Sequence, residues 1–377
     1  MSDTAASLIT RGELAPMDVA ARSERLQGAL AAAEVDALLV TNLTNIRYLT
    51  GFTGSAALLL VSPDGLTFVT DGRYGEQADA QLAASGVPAA IEVANTGQSD
   101  VVAGAVAAAG IARLGLEADA VTWAAQRTYD TTWFPDIELA PTTGLVATLR
   151  LRKDDGEIDR IAAAAAIADA ALGEVRHRLG DEPTEAEFGL ELDGTMRRLG
   201  ADDVSFETIV ASGPNGARPH HRPSTRTMVE GDLVVLDFGA LVDRYHSDMT
   251  RTVQVGEPSA TQARMVEVVT TAQAAGVAAV RAGVEAASVD AACREVIEEA
   301  GWLDAFLHST GHGVGLDIHE DPRVARTSTA TLSDRCVVTV EPGIYLPAHG
   351  GVRIEDTVVV TPDGARPLTL TPKSTAV

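Results

Sequence analysis

The sequence predicts two domains of mixed helix and strand, an α/β domain over 1–148 followed by an α+β domain over 149–377, and three observations point there. At 377 residues the chain is long for one hydrophobic core. Helix-like and strand-like segments alternate in the first part, whereas strands and hairpins dominate after residue 200, interrupted by one helical pair. All eight histidines lie at position 177 or beyond, which assigns proton and metal chemistry to the second domain.

The elements follow from local pattern. An Ala-rich amphipathic helix, Asp18 to Ala33, leads into the apolar strand Ala37 to Val40. Ala56 to Val61 and Leu66 to Thr70 form a hairpin around Pro63-Asp64-Gly65. A helix (Tyr74 to Ala84), a strand (Ala89 to Val93), a helix (Ala103 to Ala109) and a strand (Arg113 to Glu117) complete the alternation. Pro135 to Thr143, rich in Pro and Thr, precedes the interdomain boundary, and a long helix runs from Glu157 to about Leu179. The later helical pair is Thr261 to Arg281 and Ser288 to Ala300.

Composition narrows the function. With 53 acidic against 29 basic residues the formal charge is -24, which excludes nucleic acid as the default partner because phosphate binding needs a basic face. A chain that is 46% hydrophobic and 22% charged folds into a core. Two cysteines, Cys293 and Cys336, do not make a disulfide framework and suit a reducing compartment. The start, Met1-Ser2-Asp3-Thr4, lacks the basic and apolar regions of a leader, and no apolar run reaches the roughly 18 residues of a membrane span. A cytoplasmic protein without a membrane partner is expected. Lysine occurs only at 153 and 373, which reads as compositional bias.

Four carboxylates interrupt apolar strands. Asp237 ends Leu-Val-Val-Leu-Asp and Asp248 lies in Tyr-His-Ser-Asp-Met-Thr; the two are symmetric about Val242-Asp243, so a hairpin there sets them opposite each other. Glu341 and Glu355 are symmetric about Ala348, inside Pro-Ala-His-Gly-Gly. Opposed side chains on paired strands have Cβ atoms about 4.5–5.5 Å apart, where like charges repel. Two such pairs call for a cation, and oxygen-rich sites suit divalent ions. The segment His308 to Glu320 adds His308, His312 and His319, with glycines beside His312 that permit close approach. The turn Pro214-Asn215-Gly216 precedes His220 and His221.

With these residues in view, the chain resembles the pita-bread metallopeptidases, in the aminopeptidase P and prolidase branch. The resemblance rests on Val-Leu-Asp-Phe-Gly-Ala around Asp237, Tyr-His-Ser-Asp-Met-Thr-Arg-Thr around Asp248, Gly-His-Gly-Val-Gly-Leu around His312, Val-Glu-Pro-Gly-Ile-Tyr around Glu341 and Val-Arg-Ile-Glu-Asp-Thr around Glu355. In the first half, Asn45 to Phe52 and Thr70 to Tyr74 look like the creatinase-type N-terminal domain of that branch.

The resemblance implies that Asp237, Asp248, His312, Glu341 and Glu355 hold two divalent ions, manganese first, with cobalt, zinc or iron as alternatives. It implies cleavage of the Xaa-Pro bond of small proline-containing peptides by a metal-bridging hydroxide, in a dipeptidase or aminopeptidase that is a homodimer. Glu341 would shuttle the proton, His220 and His319 would stabilise the intermediate, His308 would face the substrate, and Arg353 would orient the carboxylates. His221 reads as an exposed neighbour. The complete ligand set argues against a creatinase-like hydrolase and against a binding protein reusing the fold. The ligand motifs do not distinguish a peptidase from a metal-dependent lyase.

Overall fold

The computed structural model describes residues 14–377, so Met1 to Thr4 lie outside the described residues. These residues divide into two compact units, one made of 17–150 and the other of 151–377 together with 14–16.

The first unit is built on a six-stranded sheet whose spatial order is Ala89–Val93, Gly65–Thr70, Ala57–Ser62, Ala37–Val40, Arg113–Glu117 and Glu138–Thr142. The hairpin Ala57–Ser62 to Gly65–Thr70 is antiparallel, and Arg113–Glu117 runs parallel to both of its neighbours. The last strand lies within the Pro- and Thr-rich segment Pro135 to Thr143. As an edge strand it tolerates Pro141, which has no N–H to offer a further partner. The helix expected at Ala103 to Ala109 begins earlier, at Gln98, after Gly97 in the left-handed conformation. Helix Leu43–Thr50, capped by Asn42 and closed by Gly51 at φ 75°, was also missed, because eight residues are too few to display a period.

In the second unit two helical layers cover a set of antiparallel strands. Helix Asp155–Val175, whose Asp154 and Glu157 form a capping box, packs with Glu185–Arg198 against Val234, Leu236, Phe238, Met249 and Val253. Helices Ala260–Ala279 and Ala286–Glu299 cover Val338, Val340, Ile344, Val352 and Val358. Alternation along the strands then decides where the acids go. Val234, Leu236 and Phe238 point to the first helical layer, so Asp237 points away from it, on the side of Val235. By the same rule Met249 and Val253 face the helices, while Asp248, Thr250 and Thr252 face the other side.

The first acidic hairpin has a different register from the expected one. Asp237 pairs with Thr250, not Asp248, and Leu241 pairs with His246. The turn falls on Asp243-Arg244, both at positive φ (49° and 68°), as a two-residue hairpin with primed geometry requires. Moving the turn centre by one residue shifts the partner by two, which keeps Asp248 on the same face. The second hairpin has the expected register. Gly343 pairs with Arg353 and Val340 with Asp356, and Glu341 and Glu355 occupy the break between these two ladders.

The loop that carries His220 is anchored by Glu185, at the first turn of helix Glu185–Arg198. Its carboxylate is fully buried and accepts from Ser212 N (2.8 Å), Ser212 Oγ (2.7 Å), Asn215 Nδ2 (3.0 Å), Ser224 N (3.0 Å) and Ser224 Oγ (2.6 Å). His221 Nε2 lies 2.9 Å from it, so His221 is a half-buried part of the anchor and not an exposed neighbour. Burial opposes ionisation, but the converging donors outweigh it and hold the carboxyl down to about 2. A lowered pKa contributes stability that is complete above the unfolded value near 4.5 and vanishes as pH falls through about 2. Glu185→Gln should therefore lower denaturant stability by about 2–3 kcal/mol at pH 7. In parallel denaturation curves, that gap should narrow as pH falls from 4.5 toward 2.

Candidate metal centre

One ligand atom from each of Asp248, His312 and Glu355 lies within 4.8 Å of the other two. His312 sits on the short strand Gly311–Gly313, between neighbours that come very close. A Cβ on Gly311 would stand 2.1 Å from Thr339 O, and one on Gly313 would stand 2.2 Å from Asp321 O. Glycine on both sides is thus the condition for the imidazole to reach the strands carrying the acids.

His312 Nδ1 donates to Gly313 O at 2.9 Å, which leaves Nε2 as the lone-pair nitrogen. That nitrogen is 3.5 Å from Asp248 Oδ2 and 3.5 Å from Glu341 Oε1. Burial pushes the imidazole down to about 4, so at neutral pH it is uncharged and offers the acids no proton. Burial, reinforced by the neighbouring carboxylates, raises Asp248 and Glu355 well above the ordinary range, and burial pushes Glu341 up to about 8. Among the described residues, Asp237 Oδ1 and Glu355 Oε1 are buried without a hydrogen-bond partner. Lone pairs that converge with no donor between them are the condition a divalent cation relieves, and the donor set of one imidazole and four carboxylates suits it. The residues present therefore fit a metal centre.

The surrounding contacts orient these acids. Thr250 Oγ1 donates to Glu355 Oε2 at 2.7 Å and accepts from Arg353 Nε at 3.1 Å, while Arg353 Nη2 reaches Asp237 Oδ2 at 2.5 Å. Arg353 Nη1 donates to the Tyr345 hydroxyl (2.7 Å), whose own hydrogen goes to His308 Nε2 (2.8 Å), and His308 Nδ1 donates to Ser309 O (2.8 Å). Both nitrogens of His308 are thus engaged by the protein, and burial pushes the ring down to about 3. The ring of His319 is set edge to face against that of His312, with centroids 4.4 Å apart, and burial lowers its pKa. His220 is exposed and near enough to His308 and His319 for its charge to bear on both.

Sequence reasoning missed Thr250 and Tyr345. Both were accessible from the period of two, since Thr250 shares a face with Asp248, and Tyr345 lies two residues beyond Gly343, the partner of Arg353. His246 bonds Ser205 Oγ through Nδ1 at 2.9 Å and is not in the cluster. His177 and His349 are exposed.

In the metal-free protein the raised carboxyl groups bind protons that the unfolded chain gives up near 4.5. The folded state then holds more protons between about 4.5 and 8, so its stability falls as pH rises through that window. Chelated protein should unfold at lower denaturant at pH 8 than at pH 5.5. Loading with a divalent ion should reverse that order and release protons, measurable by calorimetry in buffers of different ionisation enthalpy.

The chain matches known proteins in both units. Residues 159–362 match the model of metallopeptidase family M24, and residues 22–152 match the Creatinase/Prolidase N-terminal domain. A Bacillus subtilis protein named as the peptidase YqhT is 42% identical over 352 residues, covering 93% of this chain and 98% of that one. The solved structure of an Xaa-Pro dipeptidase from Bacillus anthracis superposes with a TM-score of 0.91 at 42% identity, covering 95% of this chain and 99% of that one. An X-Pro aminopeptidase from Thermotoga maritima gives 0.86 at 36% identity, covering 94% and 100%. The expected architecture, a creatinase-type N-terminal domain and a pita-bread catalytic domain, is the one found. With the family model spanning more than half of its length, this chain belongs to metallopeptidase family M24.

Proposed function

We propose that the protein hydrolyses the bond before proline in small peptides, with Xaa-Pro dipeptides preferred over longer Xaa-Pro substrates, and that two divalent ions, manganese first, serve the reaction. In this reading the N-terminal domain, expected over 1–148 and compact over 17–150 in the structure, accompanies a catalytic domain expected over 149–377, in a cytoplasmic homodimer. The observation that carries it is the uncharged His312 imidazole, whose lone pair faces Asp248 and Glu341 at 3.5 Å inside a buried acidic cluster. The substrate class comes from the similarity to proteins named for Xaa-Pro cleavage.

Asp237, Asp248, His312, Glu341 and Glu355 would hold the ions. Divalent ions at such a site polarise the scissile carbonyl and bring the pKa of water toward neutrality. The chain's own groups do the rest. Glu341, next to His312 and within 3.3 Å of Thr339 Oγ1, takes a proton from the attacking water and passes it to the departing proline nitrogen. His319 and His220 offer N–H donors to the oxygen that gains charge. Arg353 pins Asp237 with one arm and Tyr345 with the other, keeping the acids in register and His308 at the edge of the site. Arg323 and Arg326 follow the His319 loop with exposed side chains and suit the carboxylate of a dipeptide substrate.

The test is cleavage of Xaa-Pro dipeptides and Xaa-Pro-Xaa tripeptides before and after chelation, with metal content measured alongside. Activity should vanish with the metal and return with manganese; cleavage that survives complete metal removal would sink the reading. Glu341→Gln should lower kcat by roughly 10²–10⁴-fold at saturating metal. Normal turnover in that variant would remove Glu341 from the proton path. Sedimentation velocity on the purified chain decides the homodimer.

A further inference from the structure

The chain has only two lysines among 29 basic residues, and each is paired with an acid that directly follows a residue of the site. Lys153 Nζ is 3.0 Å from Glu320 Oε2, with side-chain exposures of 1% and 7%. Lys373 Nζ is 2.7 Å from Asp356 Oδ2. Glu320 follows His319, and Asp356 follows Glu355. Compositional bias accounts for the scarcity of lysine but not for where the two remaining ones stand.

The Lys153 pair is the more enclosed, and both of its ends are held. Lys153 N donates to Arg335 O at 3.1 Å, and Arg335 Nε donates back to Lys153 O at 2.7 Å, just ahead of the capped helix Asp155–Val175. At the other end, Glu320 Oε1 accepts from Asp317 N at 3.2 Å. A Cβ on Gly315 would come within 2.6 Å of that same oxygen, so the carboxylate is folded into the loop between His312 and His319. The loop is held on its outer side by His246 N, which donates to Gly315 O at 2.9 Å. Its two ends bring the rings of His312 and His319 to a 4.4 Å edge-to-face contact. A buried ion pair contributes little net stability compared with apolar replacement, whereas it does fix one geometry among several. The compact ammonium fits an enclosed space that a planar guanidinium, with five donors to satisfy, would have to enlarge.

We propose that Lys153 is a positioning residue, which through its buried pair with Glu320 sets the loop 313–320 and thereby the ring of His319 against His312. The turnover consequence rests on the peptidase reading; the geometric one does not. The test compares the parent with the double variant Lys153→Met/Glu320→Gln, which removes both charges together. Four quantities are read: bound manganese, kcat and KM on an Xaa-Pro dipeptide, and the His319 ring resonances of metal-free protein labelled with ¹⁵N-histidine, assigned with His319→Gln. The double variant should bind manganese as the parent does, keep KM within about twofold and lose roughly 10-fold to 100-fold in kcat, the scale of a misplaced group. Its His319 resonance should move while those of His177 and His349 stay.

Parental kcat in the folded, metal-loaded double variant overturns the proposal, as does a loss of kcat with the His319 resonance unmoved. If the double variant does not fold, Lys153→Arg, which keeps the charge and changes the shape, is held to the same outcomes. A parent that cleaves no Xaa-Pro peptide defeats the peptidase reading alone. The resonance comparison then decides the positioning claim by itself.

Discussion

Four carboxylates and one uncharged imidazole converge in a buried space, and most of what is specific about the second unit serves to make that tolerable. Ionised acids cannot share such a space without a cation, and their raised pKa values express that conflict. Part of the relief comes from the protein itself, through Arg353 on Asp237 and Thr250 on Glu355. Asp237 Oδ1 and Glu355 Oε1, buried without a hydrogen-bond partner, are where a divalent ion would supply the rest. Free energy that would otherwise stabilise the fold is thus held as affinity for metal.

Buried polar anchors join the site-bearing segments to a helix or to a strand. Glu185 gathers the segment before and after His220 onto helix Glu185–Arg198. Asp290 accepts from Thr310 N and Oγ1 while Arg294 donates to His308 O, tying the approach to His312 onto helix Ala286–Glu299. Arg251 reaches Asp356 and Thr371 O, fastening the C-terminal segment behind Glu355. Loops that carry reacting groups have few apolar contacts of their own, so directed hydrogen bonds to rigid helices take the place of packing.

Much of this was legible because charge on an apolar strand is anomalous wherever it occurs. Asp237, Asp248, Glu341 and Glu355 stood out against their valines and leucines without any knowledge of the fold. Glu341 and Glu355 lie symmetric about their turn as expected, whereas Asp237 faces Thr250 and not Asp248, since a turn centred on Asp243-Arg244 instead of Val242-Asp243 moves the partner by two residues. Because two is the period of a strand, Asp248 still lies on the face of Asp237 and Thr250. His221 was misjudged for a different reason: nothing local distinguishes a solvated histidine from one whose partner, Glu185, lies 36 residues away.

The sequence by itself determined which acids and histidines form a candidate site, where the longest helices and the apolar strands that carry the acids lie, and that burying so many acids calls for a cation, because these follow from local pattern and from the cost of burying charge. Only the tertiary structure decided which acids face one another, which nitrogen of His312 is presented to them, and which partners Lys153, Tyr345 and Glu185 hold. Register, tautomer and long-range pairing are set by contacts between segments far apart in the chain, and no local window of residues contains them.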